Sequence, residues 1–454
     1  VCDGSIYSRS SYGALANVIG TPPMLTSFTA EYANSNAQWA PTFVTVANGV
    51  AFLSNTSAFL TVQYSGGLYT STDGTTWTAR TARAPANYIS ASTGNQLSGH
   101  TIVKNGALSA NVSGGVWVVA NMASWTAGSA SITNMQTSSD LVTWTNRTIG
   151  IGNQTGYPIN QSHQFAGIAG GGTLNRLLYL HVKVTTQPAC CVFPTSPYGA
   201  NTATSDDAGA TWSYSNNLPT ANSSWWPTVV ASNSGFVISQ GNTAYWSANG
   251  QYWSDISANL KTALGIASIN TSSQLFYNSF FANGQFIIPA YGNKFLVAPA
   301  SNGSNGNWTT VGPVEGLGHA YVYGIGTGVD ALKFHFNQAT PYFNDAKIVH
   351  NGQCFVLNST SLSSSMYYSA DLKYWFKKTD FLYDSVGYAS GLGVLGNKFI
   401  QYIPTLKTIV SFTANGSYTA ATQFPVPRYS GISMSLTALG NDSSATPLVP
   451  YIKT

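Results

Sequence analysis

Of 454 residues only 32 are charged, 18 Lys+Arg and 14 Asp+Glu, where a soluble domain of this length carries about 25%. Ser (54), Thr (48), Asn (37) and Gly (44) dominate, 44% of the chain is hydrophobic, and the net charge is +4. This excludes disorder, since that many apolar residues can bury a core; long surface helices, which need Glu and Lys; and a nucleic-acid binder, which needs a concentrated basic face.

No run of about 18 apolar residues occurs, so no membrane insertion is expected. The first residues, Val1-Cys2-Asp3, show neither a basic nor an apolar leader region. The four cysteines, Cys2, Cys190, Cys191 and Cys354, are too few for a disulfide scaffold and form no C-x-x-C. They read as buried or free thiols, with one long-range disulfide left open.

Residues 1–38 carry a linker-like break, Gly20-Thr21-Pro22-Pro23, and do not fit the repeat that occupies most of the chain. From Thr42 onward, apolar strands run into Gly or Asn-Gly turns and out again. The turns centre on Asn48-Gly49, Asn105-Gly106, Gly170-Gly171-Gly172, Ser234-Gly235, Asn283-Gly284, Asn351-Gly352 and Gly396-Asn397. Asn-Gly between apolar runs is a hairpin signal.

A second motif comes after each hairpin. Its copies are Ser71-Thr72-Asp73-Gly74-Thr75-Thr76-Trp77, Ser138-Ser139-Asp140-Leu141-Val142-Thr143-Trp144 and Ser205-Asp206-Asp207-Ala208-Gly209-Ala210-Thr211-Trp212. Then come Ser247-Ala248-Asn249-Gly250-Gln251-Tyr252-Trp253, a looser Ser301-Asn302-Gly303 leading to Trp308, Ser369-Ala370-Asp371-Leu372-Lys373-Tyr374-Trp375, and Thr413-Ala414-Asn415-Gly416-Ser417-Tyr418. Asp or Asn accepts N–H groups of its own turn, Gly supplies positive φ, the hydroxyl adds a local bond, and the aromatic opens the returning strand. Asp73, Asp140, Asp207, Asn249, Asn302, Asp371 and Asn415 are therefore read as structural turn residues.

Two hairpins per unit, repeated every 42–69 residues, predict an all-β, seven-bladed β-propeller of four-stranded antiparallel blades. Residues 39–424 form the propeller. Residues 1–38 and 425–454 are either ring-closing segments or arms packed outside it.

These turns resemble Asp boxes, the Ser-x-Asp-x-Gly-x-Thr-Trp repeat of the BNR/sialidase-like propellers. Ser205 to Trp212 matches throughout, Ser71 to Trp77 lacks one residue, and the copies at 249, 302 and 415 replace Asp with Asn. The resemblance implies that the turns lie on the face opposite the ligand site. It also implies three substrate-gripping arginines, a Tyr/Glu pair and an early Phe/Tyr-Arg-Ile-Pro motif, and that last motif is absent here.

The catalytic candidates are few. Glu315, with Asp345 or Asp330, could form a two-carboxylate glycosidase pair; the plain alternative is surface loop acids. Gly391-Leu392-Gly393-Val394-Leu395-Gly396 spells G-x-G-x-x-G, yet a strand-like run comes next, where a dinucleotide site needs a helix. The six histidines have no metalloprotease spacing. Nothing calls for a cofactor or a metal. The 12 Asn-x-Ser/Thr sequons scarcely exceed what this composition gives by chance.

Residues just before each first strand should ring the axis on the loop face: Trp39, His100, His163, Trp226, Tyr277, Tyr342 and Tyr388. Aromatic and imidazole groups on an almost uncharged surface suit sugar rings; the alternative is that they fill the hub. Long insertions are expected at 145–165 and 311–345, as functional loops.

The expectation is a non-catalytic binding or assembly protein of an extracellular particle, a virion component such as a phage tail or receptor-binding protein. Its partners would be identical copies, other virion or surface proteins, and surface glycans. A secreted sialidase-like glycoside hydrolase and a free lectin or adhesin are the alternatives.

Overall fold

The computed structural model describes residues 6–8, 24–33, 43–47, 50–54, 68–74, 76, 78–80, 100–104, 115–121, 124–125, 131–150, 162–184, 197–215, 218, 227–266, 275–276, 279–292, 294–304, 307–314, 346–359, 365–373, 375–378, 392–403, 408–415 and 423–425. In chain order these begin with β1 (Ile6–Ser8) and β2 (Met24–Ala33). The first sheet is β3 (Phe43–Ala47), β4 (Val50–Ser54), β5 (Leu68–Ser71) and β6 (Thr78–Arg80). The second is β7 (His100–Lys104), β8 (Trp117–Asn121), β10 (Ser131–Ser138) and β11 (Thr145–Gly150), with the short β9 (Ser124–Trp125) lying between β8 and β10 in sequence.

The third sheet holds β12 (Ser162–Gly171), β13 (Arg176–Val184), β14 (Pro197–Ser205) and β15 (Ser213–Ser215), and takes β9 as a fifth strand beside β12. The fourth is β16 (Thr228–Ser232), β17 (Gly235–Gln240), β18 (Thr243–Ser247) and β19 (Ser254–Asp255), followed by helix α1 (Ser257–Leu264). The fifth is β20 (Phe280–Ala282), β21 (Gln285–Ala290), β22 (Lys294–Pro299) and β23 (Thr309–Val311). The sixth is β24 (Ala346–His350), β25 (Phe355–Ser359), β26 (Ser365–Ser369) and β27 (Phe376–Lys378). The seventh is β28 (Leu392–Leu395), β29 (Lys398–Ile403), β30 (Thr408–Asn415) and, on its outer side, β2; the last strand, β31 (Gln423–Pro425), pairs with β1.

Among the described residues every pairing is antiparallel, and strands follow chain order within each sheet apart from β2, β9 and the β1–β31 pair. The leading strand of each sheet touches that of the next: β3 meets β7, β7 meets β12, and so on through β16, β20, β24 and β28, which returns to β3. Sheets stacked side by side with their first strands inward have β-propeller architecture.

The core explains why these strands read as continuous apolar runs. Strand residues alternate between faces, and here both faces are buried. Phe236 and Ile238 pack with Leu178 and Leu180 of the third sheet, while Val237 between them packs with Phe286 and Ile288 of the fifth. Ile287 and Phe295 turn to Ile348, Leu357 and Trp375 of the sixth. Each such side chain contributes about 1.5–3 kcal/mol of burial, and the layers join every sheet from the second to the sixth.

Several expectations need correction. Asn415 is the last residue of β30, opposite Met24, because β2 fills the outer position where the repeat placed a strand after Asn415. Asn105-Gly106 lies outside the described residues, but Lys104 pairs with Trp117, so the link between β7 and β8 is longer than a two-residue turn. Part of the expected insertion at 145–165 is strand β11. Helix α1 is absent from the repeat pattern; Leu260 and Leu264, four apart, bury its inner side, and Gly265 ends it at φ 76. Among the described residues no helix is long and apolar enough to cross a membrane.

Asn283-Gly284 does form the two-residue turn expected of it, with φ 52 and 66, between Ala282 and Gln285. The G-x-G-x-x-G run is a hairpin, Leu395 pairing with Lys398 around Gly396-Asn397.

Candidate functional site

The sheets expose two kinds of end. One carries the turns between third and fourth strands, and there the polar motif residues act on the backbone. Ser71, Ser138, Ser205, Ser247 and Ser369 donate Oγ–H to Asp73, Asp140, Asp207, Asn249 and Asp371 at 2.9, 2.9, 2.8, 3.3 and 3.2 Å. All five hydroxyls also accept from a backbone N–H: those of Gly74, Leu141, Gly209 and Gly250, each at 2.8 Å, and for Ser369 that of Asp371 at 3.3 Å. The carboxylates accept from N–H groups further on, such as Thr76 and Thr143, both at 2.7 Å.

Where Gly is missing from the motif, the strained position is still left-handed: Leu141 has φ 63 and Leu372 φ 65. Trp212, Trp308 and Trp375 close their turns by donating Nε1–H to the carbonyls of Gly209, Gly303 and Leu372 at 3.1, 3.0 and 2.7 Å. Asn302 departs from the pattern, accepting from the N–H and hydroxyl of Ser304.

N–H donors from Thr143 and Val142, with the Ser138 hydroxyl, hold the Asp140 carboxyl down at about 2. For Asp207 partial burial works upward, but bonds from Thr211 and Ser205 outweigh it and the net shift is downward.

The same end ties sheet to sheet. Gly172 and Thr173 donate backbone N–H to Ser232 O and Ala248 O at 2.8 and 2.9 Å. Ser215 donates to Gln251 O at 2.6 Å, Ser232 to Ala300 O at 2.8 Å, and Asn351 Nδ2 to Asn397 O at 2.7 Å. Buried Arg176 grips Asp206 through two bonds and reaches Asn249 O at 3.0 Å. Sequence reasoning singles out neither Arg176 nor Asp206; the one signal is the extra acidic residue in the 205–212 copy.

The opposite end is the loop end. His100 and His163 both lie there, in the opening residues of β7 and β12, the leading strands of neighbouring sheets that touch each other. Trp39, Trp226, Tyr277, Tyr342 and Tyr388, with Glu315 and Asp345, lie outside the described residues. Two connections cross between sheets at this end. β9 pairs with His163 and Gln164 of β12. Leu275 and Phe276 donate N–H to Gly241 O at 2.9 and 2.7 Å, and Tyr291 donates to Leu275 O at 2.9 Å.

A hydroxyl cluster joins the fourth and fifth sheets here: Thr228 Oγ1 lies 3.1 Å from Ser239 Oγ and 3.0 Å from Ser279 Oγ, and accepts from Ser279 N–H at 2.8 Å. Period-two reading gives no hint of it, because Ser and Thr are spread through every strand. Cys354 is buried and unpaired, its thiol pushed up to about 12 by burial. Among the described residues no three His, Cys, Asp or Glu gather as a metal site.

No protein-family model matches the chain, and no curated protein matches it. Among solved structures it is similar to YCF48 bound to D1 peptide, at 12% identity and TM-score 0.41, over 88% of this chain and 100% of that one. YCF48 from Cyanidioschyzon merolae gives 10% identity and TM-score 0.43, over 86% and 98%. Trypanosoma rangeli sialidase in complex with 2,3-difluorosialic acid gives 12% and 0.39, over 86% of this chain and 59% of that one. No activity or partner follows from likenesses of this degree.

Proposed function

We propose that the chain is a seven-bladed β-propeller with Asp-box-like turns that serves binding and assembly rather than catalysis. It is a component of an extracellular particle, a virion tail or receptor-binding protein in the fullest form of this reading. It recognises surface glycans through its loop end, and its partners are identical copies or other particle proteins.

The observation that supports this is the fate of the acidic groups. Six acidic side chains are bonded to the fold itself: Asp73, Asp140, Asp207 and Asp371 to their own turns, Asp206 to Arg176, and Asp255 to the first N–H of α1 at 2.8 Å. A hydrolase needs a carboxyl pair free to shuttle protons; these six carboxylates hold corners instead. Low charge also suits close packing against neighbours, since few ions need desolvation.

The test joins a glycan array with a release assay for sialic acid and neutral sugars. Binding without release is expected, reduced by Trp226→Ala and indifferent to Glu315→Gln and Asp345→Asn. Release abolished by either acid substitution would establish the glycoside hydrolase instead. Negative-stain images of the source material should place the chain in a particle; a chain bound to glycans yet found only free would be a lectin.

A further inference from the structure

Among the described residues four large apolar side chains are exposed: Val142 (57%), Leu174 (53%), Tyr252 (72%) and Phe281 (38%). All four stand at the end that carries the polar corners. Val142 and Tyr252 belong to the turns between third and fourth strands of the second and fourth sheets. Leu174 lies in the turn from β12 to β13, and Phe281 one residue before the end of β20. The tips therefore fall on four consecutive sheets.

Leu174 and Tyr252 share one seam, and that seam is tied in place. Next to Leu174, Thr173 donates its N–H and its hydroxyl to Ala248 O at 2.9 and 3.2 Å. Tyr252 N–H bonds Asn249 Oδ1 at 3.1 Å, and Arg176 links the same turn to Asp206. Apolar tips on fixed turns lose little freedom when they are covered, which lowers the cost of binding. Exposed carboxylates border them: Asp140, two residues from Val142, and Asp206, half in water beside the seam. The arginines whose side chains are described on these sheets are engaged inside the fold, Arg176 with Asp206 and Arg147 with Thr137 at 2.8 Å.

The loop end of the fourth and fifth sheets has the opposite character. Helix α1 is an addition that the four-stranded repeat does not require. It exposes the small residues Ala258, Thr262 and Gly265, with half-buried Lys261 among them. Lys294 lies at the end of the helix, its Nζ donating to Leu264 O at 3.1 Å and keeping further donors. Asp255, the acid described in this region, already accepts from Ser257 N–H at 2.8 Å.

We infer that the corner end, with Leu174 and Tyr252 at its centre, docks on the α1 side of a second copy of this chain, head to tail. The apolar tips meet small side chains that permit close approach. The bordering carboxylates meet Lys261 and Lys294, and opposite charges across a contact set partner and register. An apolar centre with a polar border is the usual anatomy of such a contact. The two faces lie at opposite ends of the sheets, so the contact is heterologous and repeats from copy to copy as a row. This rests on the proposed partnership of identical copies and names the surface that makes it.

The experiment is analytical ultracentrifugation of the full chain over a range of concentrations. The mass should rise with concentration in whole multiples of the chain. Leu174→Ser combined with Tyr252→Ser should weaken association at least about tenfold. Lys261→Glu should do the same, by setting like charges against one another. Asn307→Gln, exposed just before β23, should change nothing. Thermal melts verify that each variant is folded. The two defective proteins each keep one sound end, so a mixture of them should form dimers and stop there. Association indifferent to either change, or a mixture that yields no dimers, overturns this contact and leaves assembly to another surface. A wild-type chain that is monomeric at every concentration overturns it as well; if that chain is still found in particles, the assembly reading survives through other partners.

Discussion

Arg176 and Asp206 are joined by two parallel bonds, Nε to Oδ1 at 2.7 Å and Nη2 to Oδ2 at 2.6 Å, with the guanidinium 5% exposed and the carboxylate 56%. The third guanidinium contact, Nη1 to Asn249 O at 3.0 Å, belongs to the next sheet. One buried cation therefore fastens two turns of its own sheet to the corner of its neighbour. Only a planar fork can serve three acceptors so placed.

Arg176→Lys should accordingly lose stability despite keeping the charge. About 1–3 kcal/mol is expected, scaled down from a fully buried pair because Asp206 is half in water. Asp206→Asn should cost at least as much, since it leaves the buried Arg176 charge facing a neutral amide. Urea unfolding of both variants and their double mutant checks this; an Arg176→Lys protein as stable as wild type would show that the fork is dispensable.

Ser247→Ala should destabilise by about 1–3 kcal/mol, although it deletes one oxygen. Ser247 is fully buried and accepts the Gly250 N–H at 2.8 Å, which would be stranded. Ser304→Ala, at the divergent Asn302 turn, should cost less, because Ser304 N–H still reaches Asn302 at 3.0 Å. Equal losses in denaturant melts would contradict the distinction.

Gly172→Ala and Gly265→Ala start from the same positive φ, 74 and 76, but a Cβ on Gly172 would meet Phe236 and lie 2.8 Å from Ala248 O, while one on Gly265 meets nothing within 4 Å. Gly265→Ala should cost about 1 kcal/mol of backbone strain. Gly172→Ala should exceed about 3 kcal/mol, because the Cβ wedges the third sheet off the fourth. Thermal unfolding of the pair separates strain from steric exclusion.

Acid should loosen the fold in two windows. Burial lowers the His350 pKa below 6.5, and its Nδ1 accepts from Gly352 N–H at 3.0 Å. The unfolded chain therefore takes up that proton first, and stability falls as pH drops below 6.5. The Asp140 carboxyl is lowered from 3.8 to about 2, so its contribution is intact above 3.8 and is lost toward 2. His350→Gln should flatten the first window and Asp140→Asn the second, in unfolding free energies followed against pH.

The repeat is legible because local chemistry writes it. Ser71, Asp73 and Gly74 bond within one turn, so a few consecutive residues carry the whole signal. Helix α1 and the long connection after Lys104 are not legible, because their extent depends on what packs against them. The loop-end ring is placed only as far as His100 and His163, and Trp125 escapes detection because a two-residue strand has no periodicity.

The sequence by itself determined the strand chemistry, the polar corners and the nearly uncharged surface, since each follows from neighbouring residues and composition. Only the tertiary structure decided which strand fills the outer place of the seventh sheet, where Met24 meets Asn415 across nearly the whole chain. It alone also set Trp125 beside His163 and drew Arg176 to Asn249. Pairings of this kind depend on which partners the closed assembly brings within a few ångströms, and short-range preference along the chain holds no record of that.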